Sequence, residues 1–222
     1  MRGGFQIVLS IYLVVSLSKS AYIFGYSGHS YVVIDTLFNL GYNVVGYFDK
    51  FEVKENIFNL QYLGDETLVD LAKIVGSNLV FPAVGDNSIR KKIVKLIKQH
   101  DLNETVIIDE NASVSRFAEV GHSSFISSGA VLNSWSKIGV GCIINTGSII
   151  EHECILGDFV HIAPGAVLTG NVKVGDNTFI GANAVINPGI TIGEDVIIGS
   201  GTVVLKDIPS KTKWVGNPAR QF

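Results

Sequence analysis

The stretch Ile150-Glu151-His152-Glu153-Cys154 puts three ionisable side chains in a row, in a region otherwise rich in Gly, Ile, Val, Asn and Ser. Three chemical uses compete for such a set. It can be a solvated corner, the usual fate of charge on a surface. It can hold a metal, although one His beside sequence-adjacent carboxylates gathers few ligands. Or it can move a proton, with the imidazole as acceptor and a carboxylate fixing its tautomer and stabilising the imidazolium. The backbone that carries the residues decides between them.

That backbone is a repeat. Every sixth residue from Ile108 to Val204 is Ile, Leu or Val, without an insertion. With about one residue in four of this kind, chance agreement is on the order of 10⁻¹⁰. Four residues after each aliphatic comes a small or β-compatible side chain, such as Ala130, Ser136, Cys142, Ser148 and Cys154. The next residue after each aliphatic is often Gly, Asn or Ser (Gly139, Asn145, Gly157, Gly175), which tolerates turn conformations. The pattern predicts a prism with short parallel strands on its faces. No hexapeptide buries its aliphatic alone, so stacking makes the core. In this frame Ile150 and Cys154 point inward, while Glu151, His152 and Glu153 point outward. Neither Cys142 nor Cys154 is then expected in metal or redox chemistry.

The N-terminal part reads differently. "AYIFGYSGHSYVVIDTLFNLGYNVVGYFDK" is strand, glycine turn, helix, strand. Gly25, Ser27, Gly28 and His29 sit where a loop meets a helix N-terminus, whose free N–H groups and dipole favour a phosphate. Asp49, ending the second strand, is placed for a ribose or base. A further strand from Leu79 to Val84 leads into a second loop, Gly85-Asp86-Asn87, and an amphipathic helix from Ile89 to His100. Two loops at one edge of a parallel sheet fit a mononucleotide site; a plain tight turn is the bland alternative. Arg90, Lys91, Lys92, Lys95 and Lys98 are expected on a solvated face of that helix.

Composition bounds the rest. The 222 residues carry a net charge of −3, which gives no reason to expect nucleic acid or a membrane as partner. Two Cys make no disulfide framework, so a reducing, cytoplasmic setting is expected. Residues 1–20 hold an apolar run from Phe5 to Leu17 behind Arg2, similar to a secretory signal or a short anchor. The run is short for a spanning helix, and it leads almost directly into a strand. An upstream extension of a cytoplasmic protein, without stable membrane insertion, is the expectation.

The repeat resembles the hexapeptide acyltransferases, which fold as left-handed parallel β-helices with three hexapeptides per coil and are usually trimers. It is most similar to bacterial nucleotide-sugar acetyltransferases that add a small Rossmann-like N-terminal domain. These include enzymes that N-acetylate a UDP-4-amino-sugar towards bacillosamine, and sialic acid O-acetyltransferases. "FGYSGHS", "AVGDNSIRKK", "NTGSIIEHECILGDFVHIAPGA" and "WVGNPAR" carry the likeness, which spans about residues 21–222. It implies an α/β Rossmann-like domain over 21–105 and an all-β left-handed helix over 106–222.

The resemblance also implies an activity: direct, acetyl-CoA-dependent N-acetylation of a nucleotide-linked sugar such as a UDP-4-amino-4,6-dideoxy sugar, with no metal and no covalent enzyme intermediate. His152 would be the general base and Glu153 its orienting carboxylate. Asn145 would contact the sugar, and His161 the acetyl carbonyl or thioester. Gly170 and Gly181 would line the pantetheine, while Gly25, Ser27, Gly28, His29, Asp49, Gly85 and Asn87 would hold the nucleotide end. The family's UDP-binding members often carry two acidic residues after the second strand; here Lys50 follows Asp49, which leaves the base open. O-acetylation of a sialic or related acidic sugar is the alternative within enzymes. A non-catalytic nucleotide-sugar-binding trimer is the alternative outside them, and a scaffold needs neither His152, Glu153 nor His161. Nine residues separate the two histidines, half of an 18-residue coil, so they should lie on different sides of one prism. A reaction using both would then draw them from neighbouring subunits of a homotrimer.

Overall fold

The computed structural model describes residues 19–222. The N-terminal extension expected over residues 1–20 lies outside them, except that Lys19 and Ser20 already belong to the first strand. The N-terminal domain runs β1 (Lys19–Phe24), α1 (Gly28–Asn39), β2 (Tyr42–Phe48), β3 (Gln61–Tyr62), α2 (Leu71–Val75), β4 (Leu79–Pro82) and α3 (Asn87–Gln99). Its sheet is parallel, in the order β3-β2-β1-β4. Both faces are covered, as a parallel sheet requires. Ile23 of β1 packs with Val33, Ile34 and Leu37 of α1, while Phe24 and Val80 pack with Ile93 and Ile97 of α3. The chain leaves β1 towards β2 on one side and enters β4 on the other. The loops after β1 and β4 therefore open side by side at the carboxyl edge, the place where such sheets bind ligands.

From Ile107–Ile108 (β5) to Val203–Val204 (β21), two-residue strands recur every six residues. Each pairs in parallel with the strand 18 residues on, as Ile143 does with His161 and Ile149 with Val167. This builds three sheets, the faces of a prism. The second residue of each strand is the repeated aliphatic, and those from Ile126 to Val204 form one buried column with the small residues between them. Cys142 and Cys154 are free, fully buried thiols. Burial pushes the Cys142 thiol up to about 12 and raises that of Cys154, which removes both from thiolate chemistry. β22 (Lys213–Val215) and β23 (Arg220–Gln221) cap the last coil.

The turn chemistry differs from expectation. Glycines directly after the aliphatic, such as Gly139, have ordinary φ; a Cβ on Gly139 would lie 2.5 Å from the Gly157 carbonyl oxygen. They permit close stacking of coils rather than a special turn. The left-handed residue comes two positions later: every sixth residue from Ser123 to Gly201 has positive φ. Gly, Asn, Asp or Ser fill most of these positions, as left-handed backbone favours. Trp135, Glu153 and Phe159 do not fit that preference.

Candidate active site

His152 follows β12 (Ile149–Ile150) at an outer corner of the prism, as the repeat frame predicts. Its Nδ1 lies 3.1 Å from Glu153 Oε2. A carboxylate only accepts, so Nδ1 is the donor in this contact, and Nε2 is the ring nitrogen that a substrate amine could meet. Both side chains are largely exposed. Glu151 does not touch the ring; its carboxylate accepts the backbone N–H of His152 at 3.3 Å. Glu153 holds left-handed backbone (φ 62°), and its N–H donates to Ser134 one coil earlier. Gly170 occupies the same column one coil later. A Cβ there would sit 2.6 Å from His152 Cε1 and 2.7 Å from Nε2, so the ring rests on bare backbone.

His161 opens β14 (His161–Ile162), in a different sheet from β12. The two histidines thus lie on different faces of one chain. His161 Nδ1 is 3.3 Å from the Gly85 carbonyl, an acceptor, so Nδ1 carries the proton and Nε2 accepts from Asn145 Nδ2 at 3.3 Å. Burial, reinforced by the charge of Arg90, pushes its pKa down to about 4, so the ring is neutral at physiological pH. Asn145 accordingly belongs with His161 and not with His152. A cleft of about 390 Å³ opens here, lined by Gly85, Asn87, His161, Asn177, Phe179 and Ile197. Gly181 borders the same face, pressed on the next coil, 2.5 Å from Ser200 N by its notional Cβ. Gly170 and Gly181 therefore serve different corners of one chain.

The nucleotide-type loops enclose a second cavity of about 270 Å³, lined by Gly25, Ser27, Asp49, Lys50, Glu66 and Val84 among others. A side chain at Gly25 would be strained, because its φ is +88° and a Cβ would collide with Val84 Cγ2. Ser27 and Gly28 are exposed at the start of α1. Asp49 braces the loop: Oδ2 accepts the Tyr26 N–H at 3.0 Å and Oδ1 that of Lys50 at 2.7 Å. Glu66 joins this cavity although it is not among the expected site residues. Its Oε2 is buried without a partner, and burial raises its pKa. The signal was a carboxylate in "LGDET", directly after a short strand at the ligand edge.

Two expectations need correction. His29 turns away from the nucleotide loop into the domain junction, edge-on to Phe125 at 5.6 Å and 6.4 Å from the His161 ring. Burial, with the charges of His161 and Arg90, pushes it down to about 3, and its Nε2 finds no partner. Arg90 is not on a solvated face. It is 1% exposed, and its five N–H donors all find acceptors: Gly141 O at 2.6 Å, Val84 O at 3.1 Å, Gly85 O at 3.0 Å, Asn87 Oδ1 at 2.7 Å and Phe159 O at 3.2 Å. Three partners lie in the N-terminal domain and two in the β-helix. Asn87 adds a bridge of its own, Nδ2 to Asn177 O at 3.1 Å. The sequence held the clue, because Arg90 shares its helical stripe with Ile93, Val94 and Ile97, all buried.

Residues 20–97 match the family model of the PglD N-terminal domain, and residues 171–206 match that of the bacterial transferase hexapeptide, six repeats. No curated protein matches the chain. Among solved structures, it is similar to perosamine N-acetyltransferase from Caulobacter crescentus, a histidine variant with CoA and GDP-perosamine. The two are 32% identical, over 91% of this chain and 96% of that one, with a TM-score of 0.87. It is similar also to the acetyltransferase domain of PglB from Neisseria gonorrhoeae in complex with acetyl coenzyme A. There the identity is 30%, over 92% and 100% of the chains, with a TM-score of 0.86. WeeI from Acinetobacter baumannii is 25% identical over 91% and 99%, with a TM-score of 0.80. An α/β Rossmann-like domain on a left-handed parallel β-helix, at this identity over nearly the whole length, leads to one conclusion: the chain belongs to the hexapeptide-repeat sugar acetyltransferases with a PglD-type N-terminal domain.

Proposed function

We propose that the protein transfers the acetyl group of acetyl-CoA to the amino group of a nucleotide-linked 4-amino-4,6-dideoxy sugar, with His152 as general base. The observation that carries this reading is the His152–Glu153 pair, with Nδ1 3.1 Å from a carboxylate oxygen. The amine nitrogen attacks the thioester carbonyl and forms the C–N bond. His152 Nε2 takes the amine proton, the C–S bond breaks, and that proton passes from the imidazolium to the CoA thiolate, which restores the base. Glu153 stabilises the imidazolium in between. The nucleotide occupies the cavity of Gly25, Ser27 and Asp49, with Gly85 and Asn87 at the neighbouring loop. The acyl donor runs along the coils that carry Gly170 and Gly181, with His161 and Asn145 at its thioester end.

His152 and His161 lie on different faces, so one reaction that uses both needs two subunits. The working unit of this reading is a homotrimer with its sites between chains. The relatives with GDP-perosamine and acetyl coenzyme A support the substrate class. The test is thiol release from acetyl-CoA with UDP-, dTDP- and GDP-linked amino sugars and with free sialic acid. Release with a nucleotide amino sugar, and N-acetyl product by NMR, is expected. Release with sialic acid alone contradicts amine transfer.

A further inference from the structure

Two exposed aromatic rings stand on the rungs that precede the His152 corner. Phe117, Trp135 and Glu153 occupy one column at 18-residue intervals, and Arg116, Ser134, His152 and Gly170 the column beside it. The Glu153 N–H to Ser134 carbonyl bond joins two of these rungs directly, at the usual parallel-strand spacing of about 4.8 Å. The Phe117 and Trp135 rings lie 5.8 Å apart and only 4° from parallel. Trp135 is 62% exposed and Phe117 53%. The Arg116 guanidinium sits 5.5 Å from the Phe117 ring centre.

Trp135 also occupies a left-handed position (φ 64°) that its neighbours in the repeat mostly fill with Gly, Asn, Asp or Ser. Such backbone is unfavourable for a bulky side chain. The other two large residues at these positions have visible roles. Phe159 is buried at the domain junction against Arg90 and Gly141, and Glu153 holds the His152 ring. Trp135 gains no burial in return within its own chain, where it is 62% exposed.

We propose that Trp135, stacked on Phe117, is an acceptor shelf: its ring face takes the apolar face of the sugar whose amine meets His152. The inference rests on the acetyl-transfer reading above. Coils beyond His152 present bare backbone at Gly170, so the aromatic side of the corner is the N-terminal one. A sugar lying on Trp135 lies one rung from His152. A 4-amino-6-deoxy ring suits this shelf, because its 6-methyl group and axial C–H bonds present apolar surface to the large apolar face of an indole.

The chain has two Trp, and Trp214 is buried with its indole N–H bonded to Thr212. Ligand-induced fluorescence change therefore reports mainly on Trp135. GDP-perosamine is the probe, with GDP as the control that lacks the sugar, and the UDP- and dTDP-linked pairs are run in parallel. We expect quenching by the nucleotide sugar, little by the nucleotide alone, and none in Trp135→Phe beyond that control. In kinetics, Trp135→Ala raises KM for the sugar about tenfold, worth ~1.4 kcal/mol, with kcat and KM for acetyl-CoA within about twofold. Trp135→Phe keeps most of the affinity. Unchanged sugar KM in an active Trp135→Ala variant overturns the shelf, as does dissociation of the assembly, which would make it a subunit contact. A wild type inactive on every acceptor overturns the transfer reading, and the shelf falls with it.

Discussion

Gly170 lies so close under the His152 ring that a single methyl group there would meet Cε1 at 2.6 Å. The position has ordinary φ, so alanine brings no backbone strain. His152 is exposed enough to swing aside, at the expense of its bond to Glu153. Gly170→Ala is therefore expected to leave the fold intact and to lower kcat about tenfold or more, a loss of positioning. Thermal unfolding and steady-state kinetics on the same sample check both halves. A drop in melting temperature as large as the drop in activity contradicts the account.

Arg90 ties the two domains through its five hydrogen bonds, and burial lowers its pKa only to about 10, so it remains a cation. Lysine keeps the charge but not the planar fork. Arg90→Lys should cost roughly 2–4 kcal/mol, because several buried carbonyls lose their donor. Urea unfolding measures this, and limited proteolysis should find the segment after Val84 newly accessible. A variant as stable as wild type would falsify the bridging role.

The buried neutral histidines make stability pH-dependent. Their folded pKa values, about 3 for His29 and about 4 for His161, lie below the ordinary value of 6.5. As pH falls from about 6.5 towards about 4, the unfolded chain binds protons that the folded protein refuses, so their contribution is present near neutrality and is lost with acid. His29→Phe removes one such group, whose Nε2 has no partner anyway. Its unfolding free energy, read from urea titrations, should drop less than that of wild type between about pH 7.5 and about pH 5, and should be higher near neutrality by about 1 kcal/mol. A steeper acid loss in the variant would run against this assignment.

If one site draws His152 and His161 from two chains, separately inactive variants should rescue each other. Mixed His152→Ala and His161→Ala protein, unfolded and refolded together, is expected to regain up to about a quarter of wild-type activity, since random trimers rebuild some complete sites. No recovery, with mixed assemblies demonstrated by mass spectrometry, contradicts a site between subunits.

The prism was legible in the sequence because each coil must bury one aliphatic per face, which leaves a strict six-residue trace from Ile108 to Val204. The same frame put His152 outside and Cys154 inside, and separated His152 from His161. The two kinds of glycine are not separable by sequence. Close approach and left-handed φ both favour Gly, and only backbone angles distinguish Gly139 from Gly141. Arg90 misled for a different reason: its charge argued for solvent although its helical spacing argued for the core. The inward turn of His29 had no local signal, because it depends on Phe125 and His161, which reach it from the other domain.

The central claim is that His152 accepts the amine proton. Thiol release by wild type and by His152→Asn, side by side at saturating acetyl-CoA and a nucleotide amino sugar, tests it most directly. A fall in kcat on the order of 10²–10⁴-fold is predicted, with substrate binding retained. An asparagine variant that turns over within a few-fold of wild type would contradict it.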